Sequence, residues 1–196
     1  MPECGYLAHM REVSLHEIQS AADRIRSLVR RTPLLDGGEL SREAGLTVRL
    51  KMESMQRTGS FKLRGASNAV ALLEDGAGAR GVATHSSGNH ALALATAARA
   101  RGYPCTVVMP HDAPHSKRAA VTAAGATVVD CAPTMQAREA ALADVVARAG
   151  ATPVPPFDSA DVVNGQGTIA LEILEDWPEV DVIVAPVGGG GMIGGI

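Results

Sequence analysis

Apolar residues at helical spacing mark the first element of the chain. Ser14 and Glu17 have the spacing of a capping box, in which each side chain bonds an otherwise unpaired backbone N–H group at a helix start. The pattern ends at Thr32-Pro33, because proline cannot continue a helix. A helix is therefore predicted between these limits, and its apolar positions are Leu15, Ile18, Ala22, Ile25 and Val29.

Short apolar strands and helices alternate through the middle of the chain. Residues 47–53 alternate as a strand does, and a helix is predicted from Ser60 to about Leu73. The later strands lack a clean alternation of apolar and polar residues, which indicates that both of their faces are covered, as in a parallel α/β sheet. Beyond residue 80 the pattern predicts strands at 81–85, 105–110 and 126–131, and helices at 88–100, 114–124, 134–149 and 165–177.

The last part of the chain combines a strand pattern with a run of glycines. Residues 179–187 are the most strand-like run, and they lead directly into the glycine-rich residues 188–196, where a further helix is predicted to start. The proline-rich residues 152–157 are the predicted crossing point between two lobes.

Composition favours a folded protein that acts on small molecules. Of the 196 residues, 46% are hydrophobic and 20% are charged, which is typical of a chain with a packed core. The net charge of −3 and the aromatic content of 3% argue against a nucleic-acid partner. Cys4, Cys105 and Cys131 are widely separated, which fits a reducing compartment. The chain shows neither a secretory signal nor about 18 consecutive apolar residues for a membrane span, so we expect a cytoplasmic protein without a membrane partner.

The glycine run at 188–191 has the composition of a phosphate-binding loop. Residues without side chains can turn several backbone N–H groups toward one anion, and the start of a helix also favours negative charge. A Walker loop is excluded because no Gly-Lys-Ser/Thr follows. A dinucleotide-binding G-x-G-x-x-G is present at Gly189, Gly191 and Gly194, but its acidic partner about 20 residues later would lie beyond Ile196. A flexible turn is the remaining alternative.

Lys62 lies just after a Gly-Ser-Phe turn, at the start of a predicted helix. With Ser60 as the predicted N-cap, the helix dipole and desolvation beside Phe61 are both expected to lower the pKa of this lysine. A lysine with a lowered pKa suits carbonyl chemistry, although an ordinary surface lysine is the simpler interpretation of this feature alone. A lysine and a phosphate loop in one chain together favour pyridoxal phosphate, an aldehyde that carries a phosphate.

A third polar stretch, residues 85–91, falls at a strand-to-helix junction. Its small side chains at Ser86, Ser87 and Asn89 and its free N–H groups suit a carboxylate or a phenolic oxygen, although ordinary helix capping uses the same residues. His111 and His115 have the spacing of a metal pair, but no third ligand follows at a zinc-like spacing, so no metal is expected.

Taken together, these stretches resemble the fold type II pyridoxal-phosphate enzymes, in the branch of threonine dehydratases, serine dehydratases and serine racemases. The motifs that carry the resemblance are "ESMQRTGSFKLRGA", "SSGNHA", "PFDSADVVNGQGTIALEILE" and "PVGGGGMIGGI". They occur in the family's order, from about residue 14 to the last residue. Leu92 stands where these relatives commonly have glutamine, so the resemblance does not imply a polar contact from that helix turn.

The resemblance implies a role for each motif residue. Lys62 is expected to hold the cofactor and then move the Cα proton, Phe61 to pack on the cofactor ring, and Asn89 to bond the ring's 3-oxygen. Ser87 is expected to act as the second base of the racemases. The residues expected to bind the substrate carboxylate are Ser86, Ser87, Gly88, Asn89 and His90. Those expected to hold the phosphate are Gly188, Gly189, Gly190, Gly191 and Met192.

The implied architecture is a two-lobed α/β fold. Residues 1–52 and 153–196 would belong to a large cofactor-binding lobe, and residues 53–152 to a small mobile lobe that carries Lys62 and the substrate loop. Because the family continues well past its glycine loop, the large lobe is expected to be incomplete and the chain truncated. A homodimer is expected only of a full-length chain.

The implied reaction is β-elimination from threonine or serine, which gives a 2-oxo acid and ammonia. Serine racemization is the nearest alternative. An inactive truncated remnant and a dinucleotide-binding oxidoreductase module are two further alternatives.

Overall fold

The computed structural model describes residues 12–196 and has eight α-helices and six strands there. Cys4 and most of the residues that bear on a secretory signal lie outside the described residues. The α-helices are α1 (Leu15–Ile25), α2 (Glu39–Ala44), α3 (Lys62–Ala71), α4 (Asp75–Arg80), α5 (Asn89–Ala100), α6 (His115–Ala123), α7 (Met135–Ala149) and α8 (Ala160–Asp176). The strands are β1 (Leu34–Asp36), β2 (Arg49–Lys51), β3 (Val82–His85), β4 (Cys105–Pro110), β5 (Thr127–Cys131) and β6 (Thr152–Pro153).

The predicted parallel sheet is confirmed. Its strand order is β5-β4-β3-β6, and all three neighbouring pairs are parallel. β3 and β4 are almost entirely buried, because helices cover their faces. Because the four strands are parallel, the loops that follow β3, β4, β5 and β6 all lie at the same edge of the sheet. The predicted strand at 47–53 forms only at β2, which pairs with β1 in a separate antiparallel ribbon.

Helix α3 lies between α5 and α8 and connects the parallel sheet to the rest of the structure. It packs against both helices, and α1 in turn packs against α8 and α3. Eight of the ten residues of α3 are buried. The helix that carries Lys62 is therefore held on two sides.

The predicted cap of α1 is confirmed in part. The Ser14 hydroxyl accepts a hydrogen bond from the Glu17 N–H, but the Glu17 carboxylate bonds Arg24.

The strand predicted at 179–187 is wrong. This segment has no hydrogen-bonded strand neighbour within residues 12–196, and Val182 and Val184 are 73% and 90% exposed. A run of apolar β-branched residues indicates a segment suited to burial in a sheet. A strand also needs a neighbouring strand to pair with its backbone N–H and C=O groups. The helix predicted to start after the glycines is also wrong, because residues 191–195 form turns.

Candidate functional site

Lys62 is the first residue of α3, and its amine faces a backbone carbonyl. Nζ donates a hydrogen bond to the carbonyl oxygen of Pro156 at 2.7 Å, and lies 5.1 Å from the centre of the Phe61 ring. The side chain is half-buried, and this desolvation lowers the pKa of the lysine. The direction of this shift is the one predicted from desolvation beside Phe61.

The predicted N-cap at Ser60 is wrong. Phe61, with φ of −56° and ψ of −21°, already has helical angles and occupies the cap position, and no side chain caps α3. Ser60 is only 7% exposed, and its Oγ has no hydrogen-bond partner in the described part of the chain. The helix dipole still acts on Lys62, because that effect depends on the helix start and not on a capping side chain.

The substrate loop predicted at residues 86–90 lies at the carboxyl end of β3. Ser86 is held through its backbone and its side chain. Its N–H donates a hydrogen bond to the Val108 carbonyl at 3.2 Å, and its Oγ accepts one from the Gly88 N–H at 3.3 Å. Ser87 is half-buried, and no hydrogen bond of its side chain is found among residues 12–196. Asn89 is exposed and begins the twelve-residue α5. The first N–H groups of α5 are therefore available to an anion.

His90 points into the protein, unlike the exposed Asn89 before it. Its side chain is 3% exposed, and Nε2 donates to the Val154 carbonyl oxygen at 3.0 Å, which leaves Nδ1 without a partner among the described residues. Burial lowers the pKa of His90 to about 4, against the opposing effect of the Val154 hydrogen bond, and the nearby charges of Lys62 and His85 lower it further. At neutral pH the imidazole is uncharged and acts as a fixed donor.

The glycine run forms a loop with free donors. The backbone N–H groups of residues 188–193 donate no hydrogen bond to any residue that the structure describes, and the loop closes behind them through the Gly194 N–H, which bonds the Gly190 carbonyl at 2.8 Å. Gly190 has φ of +86°, a conformation that other residues rarely adopt. Consecutive free N–H groups are what a phosphate requires, so this loop fits the predicted anion.

The three predicted stretches meet on one short segment, residues 154–157. Val154 accepts the His90 hydrogen bond, and Pro156 accepts that of Lys62. Phe157 lies against the glycine loop, where a Cβ on Gly191 would come within 2.8 Å of its backbone and side chain. The sequence indicated only a crossing between lobes here, so this meeting point was not predicted.

The predicted site residues do not all line one cavity. Phe61 and Met192 lie together on a cavity of about 420 Å³, whose walls are largely apolar and include Ile169, Ile173 and Trp177. Lys62 and the substrate loop do not line it. The cavity is therefore adjacent to Lys62 and separate from the polar groups around its amine.

Arg64 was not predicted, although it lies two residues from Lys62. It is fully buried and forms ion pairs with Glu53 and Glu172 at 2.8 and 2.7 Å, while Lys51 bonds the other oxygen of Glu172 at 2.6 Å. Burial alone would lower the pKa of Arg64, but hydrogen bonds to both glutamates raise it above its usual value. This ion network anchors the first turns of α3 to α8. No local signal in the sequence pairs Arg64 with Glu172, 108 residues away.

Other ligand types lack support in the described part of the chain. No group of three or more His, Cys, Asp or Glu side chains is arranged for a metal ion within residues 12–196, so His111 and His115 have no further ligand there. The same residues contain no helix with the length and apolar character needed to span a bilayer.

Known proteins resemble this chain in sequence and structure. The family described as "Pyridoxal-phosphate dependent enzyme" matches residues 25–196. The chain is 45% identical to the beta-hydroxyaspartate dehydratase of Paracoccus denitrificans (strain Pd 1222), over 91% of this chain and 57% of that protein. It is also 45% identical to the L-threonine ammonia-lyase of Thermotoga maritima, over 94% of this chain and 46% of that protein. The structure of maize serine racemase matches with a TM-score of 0.91 and 38% identity, over 95% of this chain and 56% of that one.

These matches bear on the alternatives from the sequence. The chain spans about half the length of the curated relatives it matches. The matched family does not support a dinucleotide-binding oxidoreductase, whereas lyases and a racemase both occur among the relatives.

Proposed function

Because the chain belongs to the pyridoxal-phosphate-dependent enzyme family, we propose that it acts in a lyase that converts threonine or serine into a 2-oxo acid and ammonia. The observation that supports this proposal most is the meeting of Lys62, the substrate loop and the glycine loop on residues 154–157. The predicted division into lobes at residues 52 and 152 is part of the same proposal.

Two groups of residues would hold the cofactor. Lys62 supplies the amine for its carbonyl carbon, and the free N–H groups of the glycine loop supply donors for its phosphate. When bound, the cofactor withdraws electrons from the substrate and makes the Cα proton acidic.

Lys62 is suited to accept that proton. A base must be uncharged to accept a proton, and desolvation favours the uncharged amine of Lys62. The carbonyl of Pro156 accepts a hydrogen bond from Nζ and so keeps the amine in one position.

The start of α5 would hold the substrate carboxylate. Its free N–H groups and the positive end of its dipole attract an anion, and the neutral His90 keeps this helix start attached to Val154. With the carboxylate held, Lys62 passes the proton taken from Cα to the β-hydroxyl, which leaves as water. The released enamine then takes up water and yields the 2-oxo acid and ammonia.

Serine racemization is the second candidate, and Ser87 is the observation that favours it. Ser87 is half-buried beside the proposed carboxylate site, and no hydrogen bond holds its side chain in the described residues. A hydroxyl that is free to accept and return a proton is what racemization requires in addition to Lys62.

Product analysis tests both candidates. The protein is incubated with pyridoxal phosphate and L-threonine, L-serine or 3-hydroxyaspartate, and 2-oxo acid, ammonia and D-serine are measured. The lyase predicts equal amounts of 2-oxo acid and ammonia that disappear in Lys62→Ala and persist in Lys117→Ala, a variant at an exposed lysine. D-serine without 2-oxo acid would favour the racemase. A folded, cofactor-bound protein that forms neither product would contradict the proposal.

A further inference from the structure

Phe157 lies between the two halves of the proposed cofactor site. The residue before it, Pro156, accepts the hydrogen bond of the Lys62 amine, and its own ring lies against the glycine loop. Phe157 is therefore one peptide bond from the group that fixes Lys62 and in direct contact with the loop that would hold the phosphate.

The backbone around Phe157 is restricted on both sides. Pro155 and Pro156 have fixed φ angles and limit the conformation of the residue before each of them. After it, the Phe157 carbonyl accepts a hydrogen bond from the Ser159 N–H at 3.0 Å, just before α8 begins. The ring thus projects from a segment with little freedom to shift.

The glycine loop matches the shape of this ring. A Cβ on Gly189 would overlap the Phe157 ring, and a Cβ on Gly191 would come within 2.8 Å of the Phe157 Cα. Gly188 and Gly190, in contrast, face open space. Two of the four glycines therefore permit the contact with Phe157, while the N–H groups of the loop stay free.

We propose that Phe157 is the positioning residue of the phosphate loop, a role that rests on the proposed function. By packing against Gly189 with its ring and against Gly191 with its backbone and Cβ, Phe157 holds the free N–H groups in a fixed arrangement relative to Lys62. Fixed donors bind an anion more tightly than mobile ones, because less conformational entropy is lost on binding. Phe157 is 39% exposed and is not part of the buried core, so its contact with the glycine loop is the packing that the variants below remove.

The test compares two aldehydes that differ only in the phosphate. The dissociation constants of pyridoxal phosphate and of pyridoxal are measured by absorption titration for the wild type, Phe157→Ala and Phe157→Leu. We expect Phe157→Ala to weaken pyridoxal phosphate about tenfold, the size of a typical loss of one packing contact, and to leave pyridoxal within about twofold. Phe157→Leu should restore most of the difference. A general effect on folding would not change the ratio of the two constants.

Gly189→Ala changes the same contact by altering the glycine loop instead of the ring. Its new Cβ would overlap the ring and displace the loop, so it should cause the same selective loss even if Phe157→Ala folds poorly. Met135→Ala, at another exposed apolar residue, is the control and should change neither constant.

The outcomes separate this inference from the proposed function. An unchanged ratio in Phe157→Ala and Gly189→Ala, in a wild type that binds pyridoxal phosphate, would overturn the role of Phe157 alone. A folded wild type that binds neither aldehyde would overturn the proposed function and this inference with it.

Discussion

Gly65 and Gly165 are in direct contact where α3 crosses α8. A Cβ on Gly165 would come within 2.6 Å of the Gly65 Cα, and a Cβ on Gly65 would come within 2.7 Å of the Val162 carbonyl oxygen. Paired glycines allow the two helix backbones to approach closely, and α3 carries Lys62 at its first turn. This crossing therefore helps to set the position of the proposed cofactor lysine.

Gly165→Ala should destabilise the fold. The methyl group has no space, so the helices must separate, and overpacking of this kind costs about 1–3 kcal/mol. Urea denaturation measures the loss. Gly76→Ala is the matched control, because Gly76 lies in α4 with nothing within 4 Å of a new Cβ, and it should gain about 0.5–1 kcal/mol from helix propensity. Equal effects of the two variants would contradict the close crossing.

Glu172→Gln should be strongly destabilising. It removes one of the two carboxylates that compensate the fully buried Arg64, and breaking a buried ion pair on one side typically costs about 3–5 kcal/mol. Asp144→Asn removes a carboxylate from an exposed pair with Arg148 and should change the free energy of unfolding by less than about 1 kcal/mol. A small effect at Glu172 would mean that Arg64 is not buried as described.

His90 should make the fold sensitive to acid. Its pKa is about 4 in the folded state, whereas an exposed histidine in the unfolded chain has a pKa of 6.5. The unfolded chain therefore binds more protons between these limits, and stability falls as pH decreases from 6.5 to 4. The full effect is at most about 3 kcal/mol. His90→Gln keeps an N–H that can reach Val154 and should flatten this part of the pH profile, measured by urea denaturation at each pH. His16→Gln, at an exposed histidine, should leave the profile unchanged.

The Lys62 ammonium group should lose its proton at a lower pH in the folded chain than in the unfolded chain. Desolvation lowers its pKa, and unfolding in urea removes that desolvation. Competitive acylation followed by peptide mapping gives the titration curve of this one amine in both states. A folded-state curve that coincides with the unfolded one would show that burial does not tune Lys62.

The sequence predicted what local pattern determines. Short apolar runs at β3, β4 and β5, separated by helices, were sufficient for the parallel sheet, because a strand covered on both faces has that composition. The segment at 179–187 has the same composition without a neighbouring strand within residues 12–196, so its pattern led to a wrong prediction. The pattern gives a residue's tendency to be buried and does not identify its partner.

The same limit applies at the site. The motifs around Lys62, Ser87 and Gly189 were recognisable because their chemistry lies within a few consecutive residues. Arg64 and Phe157 act through partners that are far away in the chain. The sequence alone does not distinguish a buried arginine from one on a helix surface. Such residues become visible only when the fold brings their partners together.

Covalent capture of pyridoxal phosphate at Lys62 tests the central claim most directly. The chain has three lysines, Lys51, Lys62 and Lys117, so borohydride reduction of the protein with bound cofactor, followed by peptide mapping, distinguishes them. We predict that the label is found on Lys62, that it is absent from Lys62→Ala, and that excess inorganic phosphate reduces it by competing for the glycine loop. Labelling of exposed Lys117 to the same extent as Lys62, unaffected by phosphate, would contradict the account.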